Sequence, residues 1–178
     1  MPSHIREPAP GHIAPIQYAR RLALAKAQAV RARTPRAMRG TPVDKRWLRT
    51  RSRWILAADT IVVVGGKILG KPATLAQAQG MLRRLSGSTH RVITAVALLE
   101  ASSGRARVRH AVSRVTMRPL TEPEIRRFAR KHRDKAGGYA VQDRRETIVT
   151  AIQGSHSNVV GLPKHLVLDL LHWAHKTQ

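Results

Sequence analysis

Apolar residues recur at helical spacing in the first and last parts of the chain. Near the start they follow alternating four- and three-residue steps, which predicts a helix over 15–33. One face of this helix carries Tyr18, Leu22, Ala25 and Ala29. The last part of the chain predicts a second helix that closes the core. Its apolar side consists of Leu166, Val167, Leu170, Leu171 and Ala174.

Two continuous apolar runs between these helices predict strands. Ile55–Val64 and His90–Glu100 lack a regular polar face, so we expect both strands to be buried on both sides. Gly65 and Gly66 permit a tight turn directly after the first run. Arginines alternate with apolar residues over Arg105–Arg109, as on a half-exposed strand. We therefore expect this segment to pair with the second run.

Helix start and stop signals lie between and after these strands. Thr74 and Gln77 have the spacing of a capping box, and Gly87 follows where that helix would end. Thr121 and Glu124 form a second capping box, which predicts another helix beyond the last strand.

Strands and helices alternate, which predicts a single α/β domain over residues 1–178 with a largely buried sheet. A chain of 178 residues with 42% hydrophobic content is long enough for one real core. Between Val112 and Val115 the apolar alternation slips by one residue, which predicts a bulge or a bend.

The chain is strongly basic. Its 33 Lys and Arg residues against 10 Asp and Glu give a net charge of +23, which favours phosphate-rich partners. Many of these cations lie in 31–53, which we interpret as an exposed basic connector. Alternatively, the arginines form no more than a solvated surface.

Several classes of protein are disfavoured by what the sequence lacks. It contains no cysteine, which excludes disulfides, thiolate metal sites and a thiol nucleophile. The first residues lack the apolar core of a secretory signal, and no run of about 18 apolar residues occurs. These features predict a soluble cytoplasmic protein.

One acidic residue interrupts the first apolar run. Asp59 requires a metal ion, a cation or several hydrogen-bond donors, because a buried carboxylate without partners is costly. A structural ion pair at a strand end would explain it. Lys71 follows the glycine turn, however, so a hairpin could return it towards Asp59 and place an acid and a cation near one pocket.

Other motifs have both an ordinary and a functional interpretation. Gly137 and Gly138 could bring backbone N–H groups to an anion, or form only a turn. Gln142 could bond to the edge of a nucleotide base, or be an ordinary polar residue. We expect His90 to open a strand without a catalytic role, and Asn158 to bond to the backbone of a loop.

Three ordered motifs together resemble the Maf family of nucleoside triphosphate pyrophosphatases. They are ILAADTIVVVGGKILGKPATLAQAQGMLRRLSGSTHRVITAVAL, DKAGGYAVQ and GSHSNVVGLP. The second is similar to that of the subgroup that acts on dTTP and UTP rather than on 7-methyl-GTP. The resemblance implies a mixed sheet flanked by helices, as in inosine triphosphatases. It also implies cleavage between the α and β phosphorus atoms of dTTP, UTP or modified pyrimidine nucleotides.

The resemblance further implies a set of site residues. Asp59 would be the active-site acid and would hold a divalent cation, Mg²⁺ or Mn²⁺, together with Glu7. Thr60 and Gln142 match positions that select the base, while Lys26 and Lys71 match cations around the triphosphate. These roles agree with the chemistry, since carboxylates bind Mg²⁺ and lysines stabilise phosphate charge. A homodimer is a possible assembly.

The chain also departs from the family pattern. The expected first strand and its Ser-x-Ser-Pro-Arg-Arg loop have no counterpart, and the segment TPRAMRG at 34–40 is interpreted as linker. A second hypothesis follows, in which the chain is a truncated and weakly active homologue. It would bind nucleotides or nucleic acid through its basic surface, with an affinity that falls as salt rises.

Overall fold

The computed structural model describes residues 13–33, 54–131, 135–139 and 148–176. The helices are α1 (Pro15–Arg33), α2 (Leu75–Leu85), α3 (Glu122–Lys131), α4 (His156–Val160) and α5 (Lys164–Lys176). The strands are β1 (Trp54–Val64), β2 (Lys67–Leu69), β3 (Thr89–Glu100), β4 (Ala106–Met117) and β5 (Val149–Gln153). A short 3₁₀ turn spans Ala136–Gly138.

The strands form one sheet in the order β2-β1-β3-β4-β5. Strands β1 and β2 are antiparallel, with Val62 opposite Leu69, and the turn between them has positive φ angles at Gly65 and Gly66. Strand β3 lies beside β4, as the sequence predicted. The α/β class, a sheet flanked by helices, is therefore confirmed.

The chain divides into two compact units, each with its own apolar core. In the unit that contains α1 and α5, the core joins β3 to α5 through Val96, Leu98, Leu170 and Ala174. The other unit contains α2 and α3, and its core includes Leu82, Leu85, Val115 and Phe128. The single domain over 1–178 stays a prediction.

The capping signals in the sequence are confirmed. The Thr74 side chain accepts a hydrogen bond from Gln77 N at 3.1 Å, so the first turn of α2 has a partner for one of its open N–H groups. Gly87, just beyond the end of α2, has a φ of 64°, which glycine adopts without strain. Before α3, the Thr121 N–H donates to Glu124 Oε2 at 2.8 Å.

The structure corrects some of the predicted faces. In α1, Ala25 and Ala29 are only half-buried, because the buried side is centred on Leu22 and Ala23. In α5, Leu171 is exposed although its neighbour Leu170 is buried. The N-terminal half of β1 is not buried on both sides either, because Leu56 is exposed.

The predicted slip in β4 is displaced. The strand is continuous over Ala106–Met117, and the irregularity lies at its end, where Thr116 pairs with Ala151 but Met117 pairs with Val149. The extra residue therefore lies in β5, a strand that the sequence pattern did not predict. Helix α4 was also missed, since its segment was interpreted as a loop.

Candidate active site

Lys26 holds the buried carboxylate in β1. Asp59 is 6% exposed, and the Lys26 ammonium donates to its Oδ1 oxygen in a salt bridge. The bridge joins residues 33 positions apart. It gives Asp59 the cationic partner that its burial requires.

Small side chains let α1 bring Lys26 to this position. Ala23 and Ala27, three residues before and one residue after the lysine, are fully buried. Because alanine lacks atoms beyond Cβ, this side of the helix can pack closely. The Lys26 side chain remains 21% exposed, so its stem packs on protein while part of it still reaches solvent.

Thr60, the next residue in β1, belongs to a hydrogen-bond chain. Its hydroxyl lies 2.9 Å from the Thr94 hydroxyl, which in turn donates to the Asn158 carbonyl at 2.8 Å. The Thr94 hydroxyl has only one hydrogen, and Asn158 receives it. Thr60 must therefore be the donor to Thr94, which leaves the Thr60 oxygen with acceptor capacity.

Asn158 anchors this chain from α4. Its side chain is fully buried, and its oxygen accepts from the Thr94 N–H at 3.2 Å. Its amide nitrogen donates to the Val92 carbonyl at 3.1 Å and to the Ser113 hydroxyl at 2.9 Å. The prediction that the Asn158 side chain bonds to the backbone of its own loop is therefore wrong, because these bonds go to the backbone of β3 and to the Ser113 hydroxyl of β4.

Lys71 lies beyond the predicted hairpin. Strand β2 pairs with β1 and ends at Leu69, and Lys71 follows two residues later with an exposed side chain. The turn and the return strand are confirmed. Among the described residues, however, the cation that contacts Asp59 is Lys26, which the family resemblance had implied only as a cation around the triphosphate.

The glycine pair forms a turn whose N–H groups are already used. Gly137 N donates to the Gly70 carbonyl at 3.1 Å, and Gly138 N donates to the Lys135 carbonyl at 3.1 Å. Both glycines have a φ of 73°. The interpretation as a turn is confirmed, while the alternative of an anion-binding nest is wrong for this arrangement.

His90 lies in the core beside Tyr139. Its Nε2 atom is 2.6 Å from the tyrosine hydroxyl, and the two rings meet edge to face. Burial lowers the pKa of His90 to about 4 and raises the pKa of Tyr139. The imidazole is therefore neutral near pH 7, and its position at the start of β3 is the one predicted.

Comparisons with known proteins agree with the sequence motifs. The family model described as "Maf-like protein" matches residues 1–174. The chain belongs to the Maf family. A relative from Alcanivorax borkumensis is 40% identical over 90% of this chain and 76% of its own length. One from Moorella thermoacetica is 41% identical over 96% and 80%.

A third relative covers less of both sequences. The protein from Pelotomaculum thermopropionicum is 44% identical over 66% of this chain, and the match spans only 62% of that relative. All three relatives have the name dTTP/UTP pyrophosphatase. The family predicted from the ordered motifs is therefore confirmed.

Two of the site residues predicted for this Maf protein lie outside the described residues. They are Glu7 and Gln142, and the segment 34–40 lies outside as well. Among the described residues, no group of three or more His, Asp or Glu side chains could hold a metal ion. In the same part of the chain, no helix has both the length and the apolar character to cross a bilayer.

Asp59 is nevertheless compatible with a divalent cation. Mg²⁺ commonly uses one or two carboxylates and completes its coordination with water and substrate phosphates. Asp59 is a suitable oxygen ligand by this standard, although its Oδ1 atom already accepts from Lys26. Asp59 therefore fits as one oxygen ligand of a divalent cation that also binds water and substrate phosphates.

Proposed function

We propose that this chain is a nucleoside triphosphate pyrophosphatase that acts on dTTP and UTP. The relatives' names support this substrate class, and the buried Lys26–Asp59 pair is the structural observation that carries the proposal. A carboxylate held by an ammonium group in a protected position is suited to orient a reacting water and to accept its proton. A cytoplasmic location, where free nucleotides are available, goes with this activity, and the homodimer stays a prediction.

The proposed reaction is attack of water on the α phosphorus. A bond forms between the water oxygen and the α phosphorus, and the bond from that phosphorus to the oxygen bridging the β phosphorus breaks. Asp59 accepts the proton that the water loses, and pyrophosphate leaves with the bridging oxygen. The products are the nucleoside monophosphate and pyrophosphate.

The lysines have separate tasks in this proposal. Lys26 donates to the Asp59 carboxylate and holds it in one orientation. Lys71, exposed after the β1–β2 hairpin, would stabilise negative charge on the phosphates. Asp59 and Glu7 would hold Mg²⁺ or Mn²⁺, which would offset phosphate charge and help to position the reacting groups.

Thr60 gives a reason for a preference for thymine and uracil. Its hydrogen is directed to Thr94, so a base can be recognised there only by donating to the Thr60 oxygen. Thymine and uracil can donate from the N–H group at ring position 3, whereas cytosine has an acceptor at that position and could donate only from its 4-amino group. Gln142, with one acceptor and one donor group, would complete the recognition of the base.

The test is pyrophosphate release from purified protein supplied with Mg²⁺ and a single nucleotide. We expect release from dTTP and UTP, and much less from dCTP, ATP and GTP. Removal of the cation with EDTA should stop the reaction, and added Mg²⁺ or Mn²⁺ should restore it.

Variants assign the reaction to Asp59. Asp59→Asn should lower kcat by at least about 100-fold, in line with the loss of a general base. Asp169→Asn is the matched control, because Asp169 is an exposed acid on α5 and should be dispensable. Equal rates for the wild type and Asp59→Asn would overturn the proposed role.

A further inference from the structure

Gly161 ends helix α4 beside the Thr60 hydroxyl. A Cβ atom added at Gly161 would lie 3.2 Å from Thr60 Oγ1. Apart from its neighbours in the chain, it would meet no other atom of the described residues within 4 Å. The missing side chain therefore leaves an open space directly against the Thr60 oxygen.

Hydrogen bonds fix this space relative to Thr60. The Asn158 carbonyl accepts from the Gly161 N–H at 3.0 Å and from the Thr94 hydroxyl at 2.8 Å. The Thr94 hydroxyl lies 2.9 Å from the Thr60 hydroxyl. All four residues belong to the compact unit that contains α2 and α3. The glycine and the hydroxyl are thus held together through one carbonyl inside a single unit.

The residues around this space face solvent in part. Thr60 and Gly161 are half-buried, while Val160 is 43% exposed and Leu162 is 45% exposed. Sites for small molecules combine apolar surface with a few well-placed polar groups. Two exposed apolar side chains next to the Thr60 oxygen provide that combination for a planar nucleobase.

The backbone conformation explains only part of the need for glycine. The φ angle of Gly161 is 110°, which strains any residue with a side chain. Gly87, just beyond the end of α2, also has a positive φ, of 64°. Among the described residues, a Cβ at Gly87 would contact only Pro119, at 3.6 Å or more. Gly87 therefore shares the positive φ angle but does not lie against a hydroxyl.

The distance to the Thr60 oxygen determines what a side chain at position 161 would do. An N–H donor lies about 2.9–3.0 Å from the oxygen that accepts from it. A methyl group at 3.2 Å would occupy nearly the same shell around Thr60 Oγ1. The hydroxyl cannot easily turn away, because threonine is stiff about χ1 and the bond to Thr94 holds it. The side chain would thus compete with a base for this oxygen.

We propose that Gly161 determines specificity by keeping the Thr60 oxygen open to the ring N–H of uracil and thymine. This role rests on the proposed function, in which Thr60 accepts from the base of dTTP or UTP. Cytosine has an acceptor at ring position 3 and gains nothing from the open oxygen through that atom. Closing the space should therefore weaken the use of UTP far more than that of CTP.

Pyrophosphate release from UTP and CTP is compared in the wild type, Gly161→Ala and the matched control Gly87→Ala. In Gly161→Ala, kcat/KM for UTP should fall about 10-fold, mainly through a higher KM, because one hydrogen bond to the base is lost. The value for CTP should change less than about 2-fold, because CTP makes no such bond through ring position 3. In Gly87→Ala the ratio of UTP to CTP should equal that of the wild type.

Two further variants test the contact with Thr60. Thr60→Val removes the acceptor and should lower the ratio of UTP to CTP as much as Gly161→Ala does. The double variant should be no less selective than either single variant, because both changes remove the same bond. Gly161→Asn covers the case in which Gly161→Ala does not fold, since asparagine tolerates positive φ angles better and its Cβ enters the same space.

The possible results distinguish this role from the proposed function. Equal losses for UTP and CTP in Gly161→Ala would show that the glycine serves only the backbone, and would overturn the role while the hydrolysis stands. An unchanged ratio in Thr60→Val would also contradict it. If the wild type releases no pyrophosphate from either nucleotide, the proposed function is wrong. Calorimetry with the non-hydrolysable α,β-imido analogues of UTP and CTP then makes the same comparison, and equal affinities of the wild type for both analogues would refute the role of Gly161.

Discussion

Replacement of Asn158 by alanine should destabilise the protein strongly. The side chain is fully buried and bonds to Thr94 N, the Val92 carbonyl and the Ser113 hydroxyl. The Ser113 hydroxyl keeps a partner in the variant, because it also donates to the Ser155 carbonyl at 3.1 Å. The Thr94 N–H and the Val92 carbonyl lose the Asn158 partner.

The expected loss follows from these two groups. A buried polar group left without a partner costs about 1–3 kcal/mol, so the two together predict a loss of roughly 3–5 kcal/mol once the empty volume is included. For a chain of this size, 1 kcal/mol corresponds to about 2–4 °C in Tm. The melting temperature should therefore fall by roughly 6–20 °C.

Urea unfolding followed by circular dichroism measures this change. Gln153→Ala is the control, because Gln153 is an exposed amide in β5 and should change stability by less than about 0.5 kcal/mol. A double-mutant cycle with Ser113→Ala should show a coupling of about 1 kcal/mol to Asn158. If Asn158→Ala is as stable as the control, the amide does not hold the strands as described.

Three other predictions concern single residues. The pKa of His90 is lower in the folded chain than in the unfolded chain, so stability should be greatest above about pH 6.5 and fall by about 2 kcal/mol between pH 7 and pH 5. His90→Gln should remove most of this pH dependence of stability in urea titrations, and an unchanged dependence would contradict the assignment. Lys26→Met should lower stability by about 3 kcal/mol, because it removes the ammonium partner of a buried carboxylate, and adding Asp59→Asn should recover part of that loss in a thermal melt. If the effects of the two substitutions on stability simply add, the ion pair is not supported. Gly154→Ala should lower stability by about 2 kcal/mol, because φ at Gly154 is 113° and an added Cβ would lie 2.9 Å from the Ser113 hydroxyl oxygen. Gly80→Ala in α2 should instead raise stability by about 1 kcal/mol, and the opposite order of stabilities would refute this reasoning.

Local signals in the sequence predicted the fold best. The capping residues of α2 and the glycines of the β1–β2 turn act within a few positions, so their effects can be derived without knowledge of the tertiary structure. Strand β5 gave no such signal, because only Val149 and Ile152 are even half-buried in it. Its place in the sheet depends on pairing with β4, which the order of residues in β5 alone does not reveal.

The candidate site was harder to predict for the same reason. That Asp59 needs a partner follows from its apolar surroundings, but the choice of partner depends on tertiary packing. The hairpin argument favoured Lys71, which is near in sequence, whereas the contact is made by Lys26 from a helix 33 residues away. The family resemblance had named both lysines without assigning the ion pair to either.

The hydrogen bonds that run from Thr60 through Thr94 to the Asn158 carbonyl affect how the site can change in evolution. Whether the Thr60 oxygen gives or receives a hydrogen is decided by Thr94 in the interior, which itself bonds to a backbone carbonyl. A mutation of Thr94 to an aliphatic residue would release the Thr60 hydrogen and let that hydroxyl donate to another group. Selection can thus change whether the Thr60 hydroxyl donates or accepts through a mutation at Thr94, a fully buried position.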